Sequence, residues 1–213
     1  MTRHAINYKP GFYDGGKPYR DYLVAALRHF ELTEFSEFWT LGGKEWYEYR
    51  FLLEQGLKFG KGSYHNVDRE EIDPLDDPAV VKHKMDFLEI WQHWKKPQAI
   101  CFDSTNGLVD SNEPIWMDLV HLGIRAAEIN GKVSLNWNFL SGYGNILYDR
   151  SDGKNDYDKL FDRYEQWLAI LVDHTAAAGL TVEFFNECVL SPKEGSRTSM
   201  LSGHCLISLS PEM

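Results

Sequence analysis

Along this chain, short β-prone runs alternate with stretches whose apolar residues recur at helical spacing. Residues 36–41 are aromatic and β-prone, and the glycine pair Gly42-Gly43 allows a sharp turn after them. Apolar residues then recur at near-helical spacing over residues 44–57, and further glycines return the chain to an extended segment ending at Asp68. We predict a strand, a glycine turn, a helix and a second strand here.

The rest of the chain continues this alternation. Residues 79–97 fit either one long helix or a strand over 79–85 followed by a short helix, and regular β-α alternation favours the second interpretation. An N-terminal helix over 17–30 should pack on the sheet or cover a site. The remaining predicted segments are strands at 98–103 (followed by a polar turn), 132–140, 180–190 and 198–210, and helices at 115–130 and 156–178.

Two strands in succession at the end of such an order imply an antiparallel strand on a mostly parallel sheet. We therefore predict an α/β fold with a doubly wound, mostly parallel seven-stranded sheet, a C-terminal antiparallel strand and helices on both faces. With 213 residues, 43% of them hydrophobic, the chain is long enough for one substantial core and short for two. We expect a single domain over 1–213, with an N-terminal arm and helix over about 1–34.

The composition of the chain limits which binding partners and which cellular compartment we expect. A formal net charge of −10 disfavours attachment to nucleic acid through a broad basic surface. Three scattered cysteines do not form a disulfide framework, and we find neither a signal sequence nor an apolar run of membrane-spanning length. We expect a cytoplasmic protein that does not bind membranes. The eight histidines show no metal-ligand spacing, so no metal site is predicted.

The first strand, turn, helix and strand outline a site for a nucleoside cofactor. A helix N-terminus presents free N–H groups above the sheet, and an acid ending the next strand can accept hydrogen bonds from two ribose hydroxyls. Asp68 is the acid in that position. The alternative is that Asp68 only caps the following turn.

The element order, together with acids at the ends of successive strands, resembles the class I S-adenosylmethionine-dependent methyltransferases, which have a Rossmann-like fold. The resemblance covers nearly the whole chain and includes the sequence WTLGG, Asp68, the pair Asp86-Phe87 and the sequence DSTN. The usual first motif of that family has an acid in the strand and a G-x-G pattern, and this chain has neither. The glycine motif is therefore degenerate, and a binding or regulatory domain without catalytic activity is the alternative.

The resemblance implies that S-adenosylmethionine is the cofactor, bound over Gly42-Gly43. Asp86 would lie near the adenine with Phe87 on its ring, or would instead cap a helix above a core phenylalanine. Lys44 and Glu48 would pair with the amino-acid end of the cofactor, or would be surface charges. The implied cofactor-binding residues are Gly42, Gly43, Lys44, Glu48, Asp68, Asp86 and Phe87.

Reactive groups of a doubly wound fold lie at the carboxyl ends of its strands. The sequence DSTN follows the fourth strand, so Asp103, Ser104 and Asn106 are the candidate catalytic residues, although ordinary polar turns have the same composition. Asn136 and Asn138 would help to orient the substrate, one facing it and the other facing solvent. The loop over 141–155 is long enough to close above the site.

The methyl acceptor is not identified by any motif. Net charge and size favour a small molecule or a protein side chain. A nucleic acid remains possible through the N-terminal arm, which mixes basic and aromatic residues suited to phosphates and bases. These residues are Arg3, Lys9, Lys17 and Arg20, with Tyr8, Phe12, Tyr13 and Tyr19.

Overall fold

The computed structural model describes residues 17–41, 46–70, 72, 74–107, 113–141, 156–192 and 199–210. The helices are α1 (Lys17–His29), α2 (Tyr47–Glu54), a 3₁₀ helix (Phe87–His93), α3 (Glu113–Asn130) and α4 (Asp156–Ala177). The strands are β1 (Glu34–Phe35), β2 (Phe38–Thr40), β3 (Lys58–Phe59), β4 (Tyr64–Asp68), β5 (Val80–Lys84), β6 (Ala99–Gly107), β7 (Lys132–Ser141), β8 (Leu180–Pro192) and β9 (Ser199–Leu209).

Seven strands form one sheet in the order β5-β4-β2-β6-β7-β9-β8. The five strands from β5 to β7 are parallel to their neighbours, while β9 is antiparallel to both β7 and β8. Because only a short connection separates β8 from β9, the two strands pair as antiparallel neighbours. This sheet, with helices on both sides, confirms the predicted fold class. The sequence did not predict the small parallel pair of β1 and β3.

The sheet separates two apolar layers. On β2, Phe38 points to one layer and Trp39 to the other, and both side chains are fully buried, as alternation along a strand requires. Helices α1 and α2 cover the Phe38 side, which we call the front face. The 3₁₀ helix, α3 and α4 cover the Trp39 side, the back face.

Two of the less regular segments differ in how well the sequence predicted them. Residues 79–97 form strand β5 and then the 3₁₀ helix, which confirms the two-element interpretation. The helix predicted over 44–57 ends earlier, at Glu54. Gly56 has a φ of 79°, and the N–H of Leu57 donates to the carbonyl of Leu52 at 3.1 Å, a glycine-based helix stop. None of the described helices is both long and apolar enough to cross a membrane.

Candidate active site

The front face of the sheet becomes polar towards the carboxyl ends of its parallel strands. One row of residues in register crosses five strands, and we call it the inner row: Asn66, Thr40, Cys101, Asn136 and His204. All five side chains are buried. One step closer to the strand ends is an outer row on the same face, formed by Asp68, Asp103, Asn138 and Ser202. Buried polar side chains in such number require hydrogen-bond partners.

Glu48 brings a carboxyl group from helix α2 to the end of β2. Its side chain is 2% exposed, and Oε1 accepts hydrogen bonds from Thr40 Oγ1 at 2.6 Å and from the Tyr64 hydroxyl at 3.3 Å. Burial raises the pKa of Glu48 to about 7, against the opposing effect of the Thr40 hydrogen bond. The surface-charge interpretation of Glu48 is therefore wrong. Strand β2 has no acid before the glycine pair. Instead, helix α2 places the carboxyl group of Glu48 beside the end of this strand.

Asp68 is the last residue of β4 and Asp86 follows β5, as the sequence predicted. The side chain of each accepts a hydrogen bond from a nearby residue of the chain. Asp68 Oδ1 accepts from the backbone N–H of Glu70 at 2.9 Å. Asp86 caps the 3₁₀ helix by accepting from the N–H of Leu88 at 3.1 Å, and it forms an ion pair with Arg69. Both acids thus have a capping role. Their roles towards ribose and adenine stay predictions.

Phe87 belongs to the core of the back face. It is 3% exposed, and its ring centroid lies 5.4 Å from that of Phe102. This packing is the structural role that the sequence left open for Phe87. Contact of this ring with an adenine stays a prediction.

Asp103 is held by a chain of hydrogen bonds across three strands. Its Oδ1 accepts from Asn138 Nδ2 at 2.8 Å, and Asn138 Oδ1 accepts from Ser202 Oγ at 2.9 Å. Burial raises the pKa of Asp103, while the Asn138 hydrogen bond and the charge of Arg20 oppose this. The carboxyl group is thus fixed in orientation, with an environment that increases its affinity for a proton.

The sequence DSTN is part of a strand, whereas the sequence predicted a polar turn. Strand β6 continues to Gly107, and its pairing with β7 shifts register between Asp103 and Gly107. Such irregularities redirect side chains and often adjoin functional sites. Ser104 and Asn106 lie within this irregular stretch, and their side chains are outside the described part of the structure.

Asn136 and Asn138 point to the same face of β7, since they are two residues apart. Both are buried, so the expectation that one of them faces solvent is wrong. Asn136 donates to the carbonyl of Ile100 at 3.3 Å and accepts from His204 Nδ1 at 3.0 Å. It therefore joins β6, β7 and β9 in the inner row.

Helix α1 lies over these rows and adds Tyr19 and Arg20, which the sequence placed in the arm for contact with nucleic acid. Tyr19 is buried, so the expectation that it stacks on bases is wrong. The Tyr19 ring stacks on His204 with centroids 5.7 Å apart, and the charge of Arg20 acts on both Glu48 and Asp103. Burial lowers the pKa of His204 to about 3, so its imidazole is neutral. Its Nε2 is buried and has no partner among the described residues. Polar residues at alternate positions of otherwise apolar strands were the available signal.

Several predicted site residues lie outside the described residues: Gly42, Gly43, Lys44, the arm over 1–16 and most of the loop over 141–155. Across the described ranges, no three histidine, cysteine or acidic side chains are grouped as metal ligands.

No protein-family model matches the sequence, and no curated protein is significantly similar to it. Solved structures of methyltransferases align with this chain at low sequence identity. Precorrin-6y C5,15-methyltransferase from Geobacter metallireducens aligns with a TM-score of 0.45 and 12% identity over 90% of this chain and 87% of that chain. A Streptococcus mutans protein assigned as a methyltransferase and crystallised with SAH aligns with a TM-score of 0.45 and 13% identity over 91% and 99%.

The methyltransferase domain of bacterial CtHen1-C aligns with a TM-score of 0.51 and 12% identity over 90% of this chain and 97% of that chain. At this identity the likeness concerns the fold. The strand order agrees with it, because an antiparallel last strand is inserted beside the fifth strand of the parallel set. The chain therefore has the fold of the class I S-adenosylmethionine-dependent methyltransferases.

Proposed function

We propose that this protein transfers a methyl group from S-adenosylmethionine to an acceptor bound over the carboxyl ends of β6 and β7. The observation that carries the proposal is the buried carboxyl of Glu48 at the end of β2, on a methyltransferase fold. Burying an ionised carboxyl costs stability unless it is paired with an opposite charge as well as hydrogen-bonded. A cationic ligand group at this position would supply that charge.

The residues present fit the chemical groups of this cofactor. Glu48 would face its ammonium group, and Asp68 would accept hydrogen bonds from the ribose hydroxyls with the oxygen atom that does not cap the turn. Asp86 would contact the exocyclic amine of the adenine. When bound, S-adenosylmethionine supplies a methyl group already activated by the sulfonium, so the protein mainly has to align the acceptor.

Asp103 is the candidate for orienting the acceptor or for taking its proton. Asn138 fixes the position of the Asp103 carboxylate, and burial makes that carboxylate a stronger base than an exposed aspartate. A small molecule or a protein side chain is the favoured acceptor, given the net charge of −10. Nucleic acid remains the other class, and binding of a labelled RNA that weakens steeply with salt would favour it.

Calorimetry with S-adenosylmethionine and S-adenosylhomocysteine tests the proposal. We expect both to bind the wild-type protein and the Glu54→Gln control, whose substitution is on the exposed side of α2. Binding of both should weaken at least tenfold in Glu48→Gln and in Asp68→Asn, a loss of about 1.4 kcal/mol. If neither compound binds at millimolar concentration, the cofactor proposal is wrong.

A non-catalytic binding or regulatory domain is the second candidate. The capping hydrogen bonds of Asp68 and Asp86 favour it, since they give both acids a structural role without any ligand. Under this alternative, Asp68→Ala would lower stability by removing the cap, without any ligand effect.

A further inference from the structure

Two histidines form a hydrogen-bonded pair on the back face of the sheet, opposite the candidate site. His65 of β4 and His83 of β5 approach with Nδ1 and Nε2 2.9 Å apart. Both rings lie against the indole of Trp39, with centroids 4.0 Å and 4.8 Å from it. His65 is 9% exposed, whereas His83 is half-buried.

Such a pair holds one bridging hydrogen, because one nitrogen donates and the other accepts. If both rings are protonated, two N–H groups face each other and both carry positive charge. The hydrogen bond is then lost, and the rings repel each other beneath a buried indole. The pair is therefore stable only while at least one ring is neutral.

The charged groups near the His65–His83 pair do not offset the repulsion between two protonated rings. The ring of His93 on the 3₁₀ helix lies 5.7 Å from that of His83, and the charges of His93 and Lys95 both oppose protonation of His65. Glu37 is the acid on this side of β2, but its oxygens accept from the backbone N–H of Lys95 at 3.0 and 3.1 Å and from Trp39 Nε1 at 3.4 Å.

Lys82 and Lys84 flank His83 on β5 and point to the opposite face of the strand. They add positive charge to β5 as a whole. Burial and the neighbouring charges lower the pKa of His65 and outweigh a backbone hydrogen bond with Gly62, which raises it, so the surroundings of the pair favour its neutral form.

Burial, and then the neighbouring histidine charges, lower the pKa of both rings, that of His65 to about 4. The folded pKa is thus below the ordinary value of about 6.5. A base with a depressed folded pKa stabilises the fold above its unfolded pKa, and this contribution is lost as the pH falls towards the folded value.

The pair lies on the two strands that lead to the acids proposed to contact the cofactor. Asp68 follows His65 by three residues, and Asp86 follows His83 by three. The N–H of Met85 donates to the carbonyl of Asp68 at 3.0 Å, and β5 is the edge strand, paired only with β4 in this sheet. Contacts between β4 and β5 therefore hold both acids in place.

We propose that the His65–His83 pair is an acid-sensitive latch: protonation of both rings loosens β5 and the 3₁₀ helix from β4 and thereby weakens cofactor binding. The link to the cofactor rests on the proposed function. The latch itself does not.

Hydrogen exchange measured by mass spectrometry at pH 7.5 and pH 5.0, corrected for the intrinsic rates, tests the latch. In the wild-type protein, β4 and β5 should lose about tenfold in protection relative to β7 at the lower pH. His83→Gln retains hydrogen-bonding groups but does not titrate, so this selective loss should become smaller, with only the part due to the burial of His65 left. His121→Gln, an exposed histidine on α3, should behave like the wild type. Equal loss in wild type and His83→Gln would overturn the latch.

NMR titration of the imidazoles in the wild-type protein gives an answer that does not depend on the folding of any variant. His65 and His83 should titrate below their ordinary range as a coupled pair. Independent titration of both near pH 6.5 would overturn the latch.

Calorimetry with S-adenosylhomocysteine at the same two pH values tests the link to the cofactor. Affinity should fall on acidification in the wild type and in His121→Gln, and fall less in His83→Gln. An equal fall in all three proteins would overturn the link. If the compound does not bind even at pH 7.5, the proposed function and the link both fail, while the exchange and NMR results still decide the latch.

Discussion

Replacing Glu48 by glutamine should make the protein more stable in alkaline solution, because it removes a buried group that would otherwise have to ionise. Glu48 is 2% exposed, and burial raises its pKa from 4.5 to about 7. A glutamine side-chain oxygen can still accept the hydrogen bonds of Thr40 and Tyr64. The substitution therefore retains the shape and the acceptor and removes only the charge.

The sign of the effect follows from the raised pKa. A folded pKa above the unfolded value means that the stabilising contribution is fully present below pH 4.5 and is lost as the pH rises through about 7. One pKa unit corresponds to about 1.4 kcal/mol, so the rise of the Glu48 pKa from 4.5 to about 7 corresponds to about 3 kcal/mol of folding free energy. Relative to Glu48→Gln, the wild type should lose about this much free energy of unfolding between pH 4.5 and pH 8.5.

Urea denaturation of both proteins at these two pH values measures the difference between their free energies of unfolding. The contributions of all other titrating groups are the same in both proteins and cancel in this difference. Glu54→Gln on the same helix is the matched control, because Glu54 is exposed, and its difference from the wild type should change little with pH. A difference between wild type and Glu48→Gln that does not vary with pH would refute the argument. A variant that gains stability and loses S-adenosylhomocysteine binding would show that the carboxyl is retained for function.

Three further substitutions test the site and the core. Asp103→Asn should lower methyl transfer, once an acceptor is known, and leave the affinity for S-adenosylhomocysteine nearly unchanged. Normal turnover would show that the chemistry lies elsewhere. Asp68→Ala should abolish cofactor binding with the circular dichroism spectrum intact, and unchanged affinity would leave Asp68 with its capping role alone. Gly203→Ala should destabilise the protein by about 1–3 kcal/mol in urea denaturation, because its Cβ would lie 2.2 Å from a ring carbon of Trp137. Wild-type stability would mean that the indole moves at no cost.

Periodicity predicted the order of the elements well because buried strands and amphipathic helices differ in spacing. It did not predict how polar side chains are buried. Glu48 lies four residues before the buried Leu52, on the same side of α2, but a charged residue at the helix start was also consistent with an exposed position. Its burial depends on Thr40 and Tyr64, which are on other elements and come together only in the folded protein.

Composition was a poor guide at the end of β6. A run of polar residues resembles a turn, yet Asp103 remains in the strand because Asn138 of the next strand pairs with it. His204 and Tyr19 are separated by most of the chain and stack only because α1 lies over β9. Such pairs depend on topology, which the spacing of apolar residues does not encode.

The position of β9 also has a consequence for how the protein is made. Because β9 lies between β7 and β8, neither of those strands has its final neighbour until residues 199–209 have been synthesised. Until then one edge of β7 and both edges of β8 are unpaired in this sheet, and such open edges can pair with other chains. Ser202 and His204 complete both polar rows, so this last insertion closes the sheet and assembles the candidate site in one step. A ribosome that stalls before this point would hold a chain with an incomplete candidate site and with open strand edges prone to aggregation.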